Sequence, residues 1–175
     1  TVTVKDTAGL SSTATQTVTA SAVSNLVGNP GFETNTNGWN AGGRAGVTVT
    51  RVSGAHSGTS AAAITNTNSS AVTECTLNDS PNWVASTTPG TYVGSLWLRA
   101  DTAGAQIKVR FREYTSSGGS VSSASVTVNL TTSWQLVQVS YPVTHTGDNI
   151  DFSAYTSNSP QGVCFYADDV SITRS

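Results

Sequence analysis

Ten Asp and Glu are all the carboxylates this 175-residue chain carries, and three of them stand where a shared task is plausible. Glu33 closes the run Asn29-Pro30-Gly31-Phe32-Glu33, which is followed by Gly38-Trp39. Asp168 and Asp169 lie in the closing run Cys164-Phe165-Tyr166-Ala167-Asp168-Asp169-Val170-Ser171-Ile172. If the opening and closing segments of one domain meet, Glu33 and an Asp of that pair clamp a cation. Calcium suits such a set, because it takes six to eight oxygen ligands from carboxylates, carbonyls and water. Asp168 shares strand parity with Val170 and Ile172 and so points inward if those two fill the core. A buried carboxylate without a partner is costly, which favours an ion. Asp169 points the other way and is the second choice. The competing reading is that Glu33 and Asp168 only accept hydrogen bonds from turn amides.

A second group lies in Ile107-Lys108-Val109-Arg110-Phe111-Arg112-Glu113-Tyr114, the clearest strand in the chain. Its odd positions are mostly apolar, while Lys108, Arg110, Arg112 and Tyr114 share the other face. Cations in a row are unusual in a chain with only 10% charged residues. Arginine binds carboxylates in a bidentate fashion, so this face suits an acidic ligand. The alternative is a solvated face with Glu113 and Asp101 nearby.

Other chemistries lack their residues. No G-x-S-x-G occurs, and His56 and His145 have no triad context. Glu74 and Glu113 fall on strands with no visible partner, so no carboxylate pair spans a cleft. There is no glycine-rich phosphate loop. His56, Cys75, His145 and Cys164 show none of the short pair spacings of a structural zinc site. A net charge of -2 without a basic cluster argues against nucleic acid. No apolar run is long enough to insert in a bilayer.

The elements that must position these residues are strands. Ser, Thr, Gly, Val and Ala dominate, and Thr and Val favour pleated structure. Alternation marks Val47–Val52, Ala61–Ile64, Ser70–Leu77, Tyr92–Arg99, Ile107–Tyr114, Val121–Leu130, Trp134–Val139, Asn149–Tyr155 and Val163–Thr173. Asn25-Leu26-Val27 leads into this set, and no amphipathic helix of useful length appears. Short strands with Gly, Ser and Pro between them indicate an all-β sandwich, of jelly-roll type. Ahead of it, Thr1–Val4 and Thr15–Thr19 alternate about the turn Lys5–Gly9, a hairpin with no core of its own. The expected division is 1–22 for this hairpin and linker, and 23–175 for the sandwich. Cys75 and Cys164 form one bridge in an oxidising compartment, or else are two buried thiols.

The motifs N-P-G-F-E, G-W, H-S-G-T-S-A, Y-V-G-S-L-W-L-R-A, S-W-Q-L-V and F-Y-A-D-D-V-S-I-T follow one another between about Asn25 and Thr173. In that order they resemble carbohydrate-binding modules of families four, nine, sixteen and twenty-two. The resemblance implies a galactose-binding-like jelly roll with a structural calcium, non-catalytic, monomeric, and tethered to a secreted bacterial polysaccharide-degrading enzyme. It adds Gly31, His56 and Ser57 as backbone calcium ligands. The first twenty residues resemble, more weakly, the closing strands of polycystic-kidney-disease-type immunoglobulin-like domains. On this footing the partner is a polysaccharide, and the Arg110–Arg112 face suggests a uronate. Trp83, in the turn Asn78–Val84, is either a stacking platform or a plug over the core, with Asn78 and Asp79 placed for hydroxyl contacts. Tyr155 is a further candidate. Trp39 and Trp134 are expected inside, and Trp97 either joins the polar face or closes the core. A spacer domain that binds no glycan is the alternative function.

Overall fold

A computed structural model describes residues 2–9, 11–14 and 23–175. The opening hairpin pairs β1 (Val2–Lys5) with β2 (Ser11–Ala14) and forms a sheet by itself. Its second strand therefore starts earlier than the alternation of Thr15–Thr19 suggested, and that stretch lies outside the described residues.

Ten more strands form the sandwich: β3 (Trp39–Asn40), β4 (Val47–Ser53), β5 (Ser60–Asn66), β6 (Val72–Asp79), β7 (Gly90–Arg99), β8 (Gln106–Tyr114), β9 (Ser120–Asn129), β10 (Gln135–Val143), β11 (Asn149–Ser159) and β12 (Gly162–Arg174). They make two five-stranded sheets in the orders β10-β7-β12-β5-β4 (sheet I) and β3-β6-β11-β8-β9 (sheet II). Every pairing is antiparallel. This is the expected all-β jelly roll. Among the described residues no helix is long and apolar enough to cross a membrane.

Alternation places the core between the sheets. Leu96 and Leu98 of β7, Val137 and Val139 of β10, and Ile64 of β5 face inward from sheet I. Ile107, Val109 and Phe111 of β8 meet them from sheet II with Phe152 of β11 and Leu77 of β6. Phe111 and Phe152 lie 4.8 Å apart, ring to ring. Lys108, Arg110, Arg112 and Tyr114 are thereby turned to the outside of sheet II.

Two departures from regular alternation matter for function. Glu113 sits at an inward position of β8 and is 2% exposed, so it is not part of the solvated face. In β12 the register against β7 shifts between Asp168 and Ser171, and Asp169 adopts φ 46°. This bulge resets the side-chain phase. Phe165 and Ala167 face inward before it, and Val170 and Ile172 face inward after it. The expected parity of Asp168 with Val170 and Ile172 therefore fails: the shift separates them, and Asp168, opposite Trp97, faces the outside of sheet I, where the 56–60 loop buries it.

Cys75 of β6 and Cys164 of β12 form a disulfide across the two sheets, with Cα atoms 6.3 Å apart. It closes a loop of 89 residues, worth about 4–5 kcal/mol on the chain-entropy relation. Replacing both cysteines with serine should lower the melting temperature by about 10–15 °C. Calorimetry of the double variant checks this; an unchanged transition would mean that the bridge does not constrain the unfolded chain.

Candidate functional site

Residues 23–38 form no strand, yet they are fixed to the end of β12. The Asn25 side chain accepts the Ile172 N–H at 3.0 Å and donates to the Val170 carbonyl at 2.9 Å. Leu26 N–H donates to the Ile172 carbonyl, and Val170 N–H donates to the Pro30 carbonyl. Phe32, fully buried at φ 54°, anchors the turn. The opening and closing segments of the sandwich therefore do meet.

Their meeting brings the three carboxylates to one corner. A side chain built on Gly31 would stand 3.9 Å from oxygens of both Asp168 and Asp169 and from the Glu33 side chain. The 56–60 loop lies across this corner. Asp168 Oδ2 accepts the N–H groups of His56 and Ser57 at 2.8 and 3.1 Å, and Oδ1 accepts the Asp169 N–H. Asp169 binds the Ser57 hydroxyl at 2.7 Å and His56 Nδ1 at 2.6 Å. Glu33 accepts from the N–H groups of Thr59 and Ser60 and from the Thr59 hydroxyl. Gly58 makes this possible: its φ is +66°, and a Cβ there would overlap Glu33 Oε1. These bonds, the Thr59 hydroxyl first, hold the Glu33 carboxyl below its ordinary range. Burial raises that of Asp168 against the pull of its three amides, with Asp169 adding like-charge repulsion. His56 and Ser57 meet the Asp pair through amide and side-chain groups that donate to the carboxylates, whereas the expectation gave them only carbonyl oxygens.

The second site is a groove of about 360 Å³ on the outside of sheet II. Asn78, Arg110, Arg112, Tyr114 and Tyr155 line it together. The β8–β11 register sets Tyr155 opposite Lys108, Ser153 opposite Arg110, Asp151 opposite Arg112 and Asn149 opposite Tyr114. Arg110 lies over the Tyr155 ring at 4.9 Å, and Lys108 Nζ lies 5.9 Å from the same ring. Arg112 donates to the Tyr114 hydroxyl at 2.7 Å. Sequence reasoning missed Asp151, Thr76, Glu74 and Arg44, all of which also line the groove. Parity offered the signal for three of them: Asp151 alternates with Tyr155 on β11, and Glu74 and Thr76 with Asn78 on β6. Glu74, read as lacking a partner, pairs with Arg44. Burial raises the Asp151 carboxyl, and Arg110, Arg112 and Asn78 draw it back.

Three candidates fall elsewhere. Asp79 is 1% exposed and accepts the N–H groups of Trp83 and Phe152, so it is spent inside the fold. Burial raises its carboxyl to about 7 against those two bonds. Trp83 is half-buried, 5.9 Å from the Trp39 ring and pressed so closely on Gly38 that a Cβ there would overlap it. It covers the core end and does not reach the groove. Trp97 lies on sheet I, stacked on His56 at 3.7 Å. Trp134, expected inside, stands half-exposed beside it, with Arg99 5.3 Å over its ring. Trp39 is buried as expected and donates its ring N–H to the Asn29 carbonyl.

No curated protein matches the chain significantly. Similar folds include TmCBM61 solved with β-1,4-galactotriose: 20% identity, 87% of this chain and 99% of that one, TM-score 0.59. Another is the CBM22-1 xylan-binding domain of Paenibacillus barcinonensis Xyn10C: 20% identity, 89% and 97% covered, TM-score 0.64. A third is the Clostridium thermocellum xylanase 10B CBM22-1–GH10 structure with xylohexaose: 23% identity, 87% and 29% covered, TM-score 0.64. Residues 24–161 match the carbohydrate binding domain family CBM_4_9, a span that includes Glu33 and the whole groove but stops short of Asp168. The chain therefore belongs to that family of carbohydrate binding domains, modules that hold glycan without cleaving it.

Proposed function

We propose that the groove on sheet II receives a polysaccharide chain and that the module holds an attached, secreted bacterial glycan-degrading enzyme on its substrate. The observation that carries this reading is a pair of buried polar atoms without partners in the groove lining, Arg110 Nε and Thr76 Oγ1. Such atoms are costly when left unmet, and ring hydroxyls meet them. Tyr155 and Tyr114 supply the flat apolar faces against which sugar rings stack. From Tyr155 to Asn149 the β11 face runs about 20 Å, room for several sugar units along the strand. The galactotriose and xylohexaose of the similar structures support a chain-like ligand. The disulfide supports an oxidising, extracellular setting.

A uronate ligand rests on Arg110 and Arg112. Asp151 and Glu74 in the same groove favour the second reading, a neutral glycan whose hydroxyls the carboxylates accept. Retardation in gels containing neutral or acidic polysaccharides separates the two, and a glycan-free spacer domain is retarded by neither. Arg110→Ala or Tyr155→Ala should weaken retention roughly 10–100-fold, the worth of a hydrogen bond to a charged group. Trp97→Ala, on the other sheet, should leave it unchanged. Loss with Trp97→Ala alone moves the site to sheet I.

Calcium at the corner of Glu33, Asp168 and Asp169 is the second part of the proposal. The donors fit: three hard carboxylates surround Gly31, and an oxygen that already accepts an N–H retains a lone pair for an ion. Calcium would tie the Glu33 turn and the 56–60 loop to β12. Chelator should lower the melting temperature by about 5–10 °C relative to calcium at a hundred times its dissociation constant. Asp168→Asn should abolish that difference. An identical melt with and without chelator leaves the amide hydrogen bonds as the whole role of these carboxylates. Residues 1–22 we read as the trailing hairpin and linker of an upstream immunoglobulin-like domain; a fragment beginning at Val23 should bind glycan equally well.

A further inference from the structure

Glu113 is the one inward-facing charge on β8, at the edge of the sandwich where β8 meets β10. Its Oε2 accepts the Tyr141 hydroxyl at 2.6 Å. The other oxygen, Oε1, is buried and has no hydrogen-bond partner.

The loop joining β10 to β11 arrives at the same place. One ligand atom each from Glu113, His145 and Asp148 lie within 4.8 Å of one another. The loop is not held there by the carboxylates. Thr87, fully buried, pins it: its hydroxyl donates to the His145 carbonyl and accepts the Asp148 N–H, at 2.9 and 3.0 Å. Its own N–H donates to the Asp148 carbonyl, and its carbonyl accepts the Gly147 N–H. The Thr144 hydroxyl stands 3.3 Å from His145 Nδ1, within reach to set the ring's orientation. The backbone thus delivers an imidazole and a carboxylate to Glu113, whose Oε1 is buried with no hydrogen-bond partner.

We propose that Glu113, His145 and Asp148 bind a divalent transition-metal ion of the zinc class. One imidazole nitrogen with carboxylate oxygens suits such an ion, and three protein ligands leave a position for water. Calcium prefers an all-oxygen shell of six or more, which this site does not offer. Tyr141 on Glu113 and Thr87 beneath the loop are the outer contacts that orient the ligands. Neither cysteine takes part, since both are in the disulfide. The bound ion ties the β10–β11 loop to β8, the strand whose opposite face carries Arg110 and Arg112. The site is independent of the glycan reading and of the corner at Glu33.

The test is calorimetric titration of chelator-treated protein with Zn²⁺ and, separately, Ca²⁺. A parallel titration with Co²⁺ is followed by its visible absorption. The expected result is saturable uptake of one Zn²⁺, with ligand-field bands for Co²⁺. His145→Ala, in an exposed loop, and Glu113→Gln, which retains an oxygen for Tyr141, should each weaken Zn²⁺ binding by at least about tenfold. Both should leave any Ca²⁺ response and glycan retention intact. Tyr141→Phe should weaken Zn²⁺ by roughly 10–100-fold. His56→Ala, removing the only other histidine, should leave Zn²⁺ uptake unchanged. The proposal is overturned by absence of saturable Zn²⁺ uptake, by uptake that survives His145→Ala, or by uptake lost with His56→Ala instead.

Discussion

Closure of the chain's entry onto its last strand is the constraint on which the remaining geometry rests. Residues 25–33 bury little more than Val27 and Phe32, and no strand holds them. They stay in place because Asn25 replaces a missing ladder partner for β12, accepting one N–H and donating to one carbonyl. Pro30 accepts the Val170 N–H immediately after the bulge. The register shift there turns Val170 and Ile172 into the core, while Asp168, opposite Trp97, stays on the outer face of sheet I beneath the 56–60 loop.

The same strand couples this corner to the sheet that does not carry the groove. β12 is central in sheet I, between β7 and β5, and its disulfide reaches β6 in sheet II. Most groove side chains come from β6, β8 and β11, whose inner faces pack on that shared core. A rigid floor of this kind limits the ordering cost of binding a long, flexible ligand. Carboxylates set among the arginines give the groove both donors and acceptors, as a polyhydroxyl ligand requires.

Much of this was legible in the sequence, for a physical reason. Period-two alternation over Ile107–Tyr114 both names the strand and sorts its faces, so Arg110, Arg112 and Tyr114 were assigned together correctly. The link between Glu33 and Asp168 was legible from motif order, since chain ends of one sandwich tend to lie close. What was not legible depended on tertiary partners. Trp83 sits in a turn, where no periodicity decides direction, and only Gly38 and Trp39 explain its place over the core end. Asp79 ends a strand and was read as free, while the backbone of Phe152 claims it. Trp134 precedes a strand and was assigned inward by motif, but His56, Trp97 and Arg99 gather it on the outer surface. Glu113 lies near the end of β8 while His145 and Asp148 lie in the β10–β11 loop, and no local spacing relates the first to the other two.

His56 does two things at once: its ring lies flat on Trp97, and its Nδ1 touches Asp169. Trp97 is thereby one ring away from the acidic corner, so any displacement of that corner changes the indole's surroundings, a change its own fluorescence reports with no label attached to the protein.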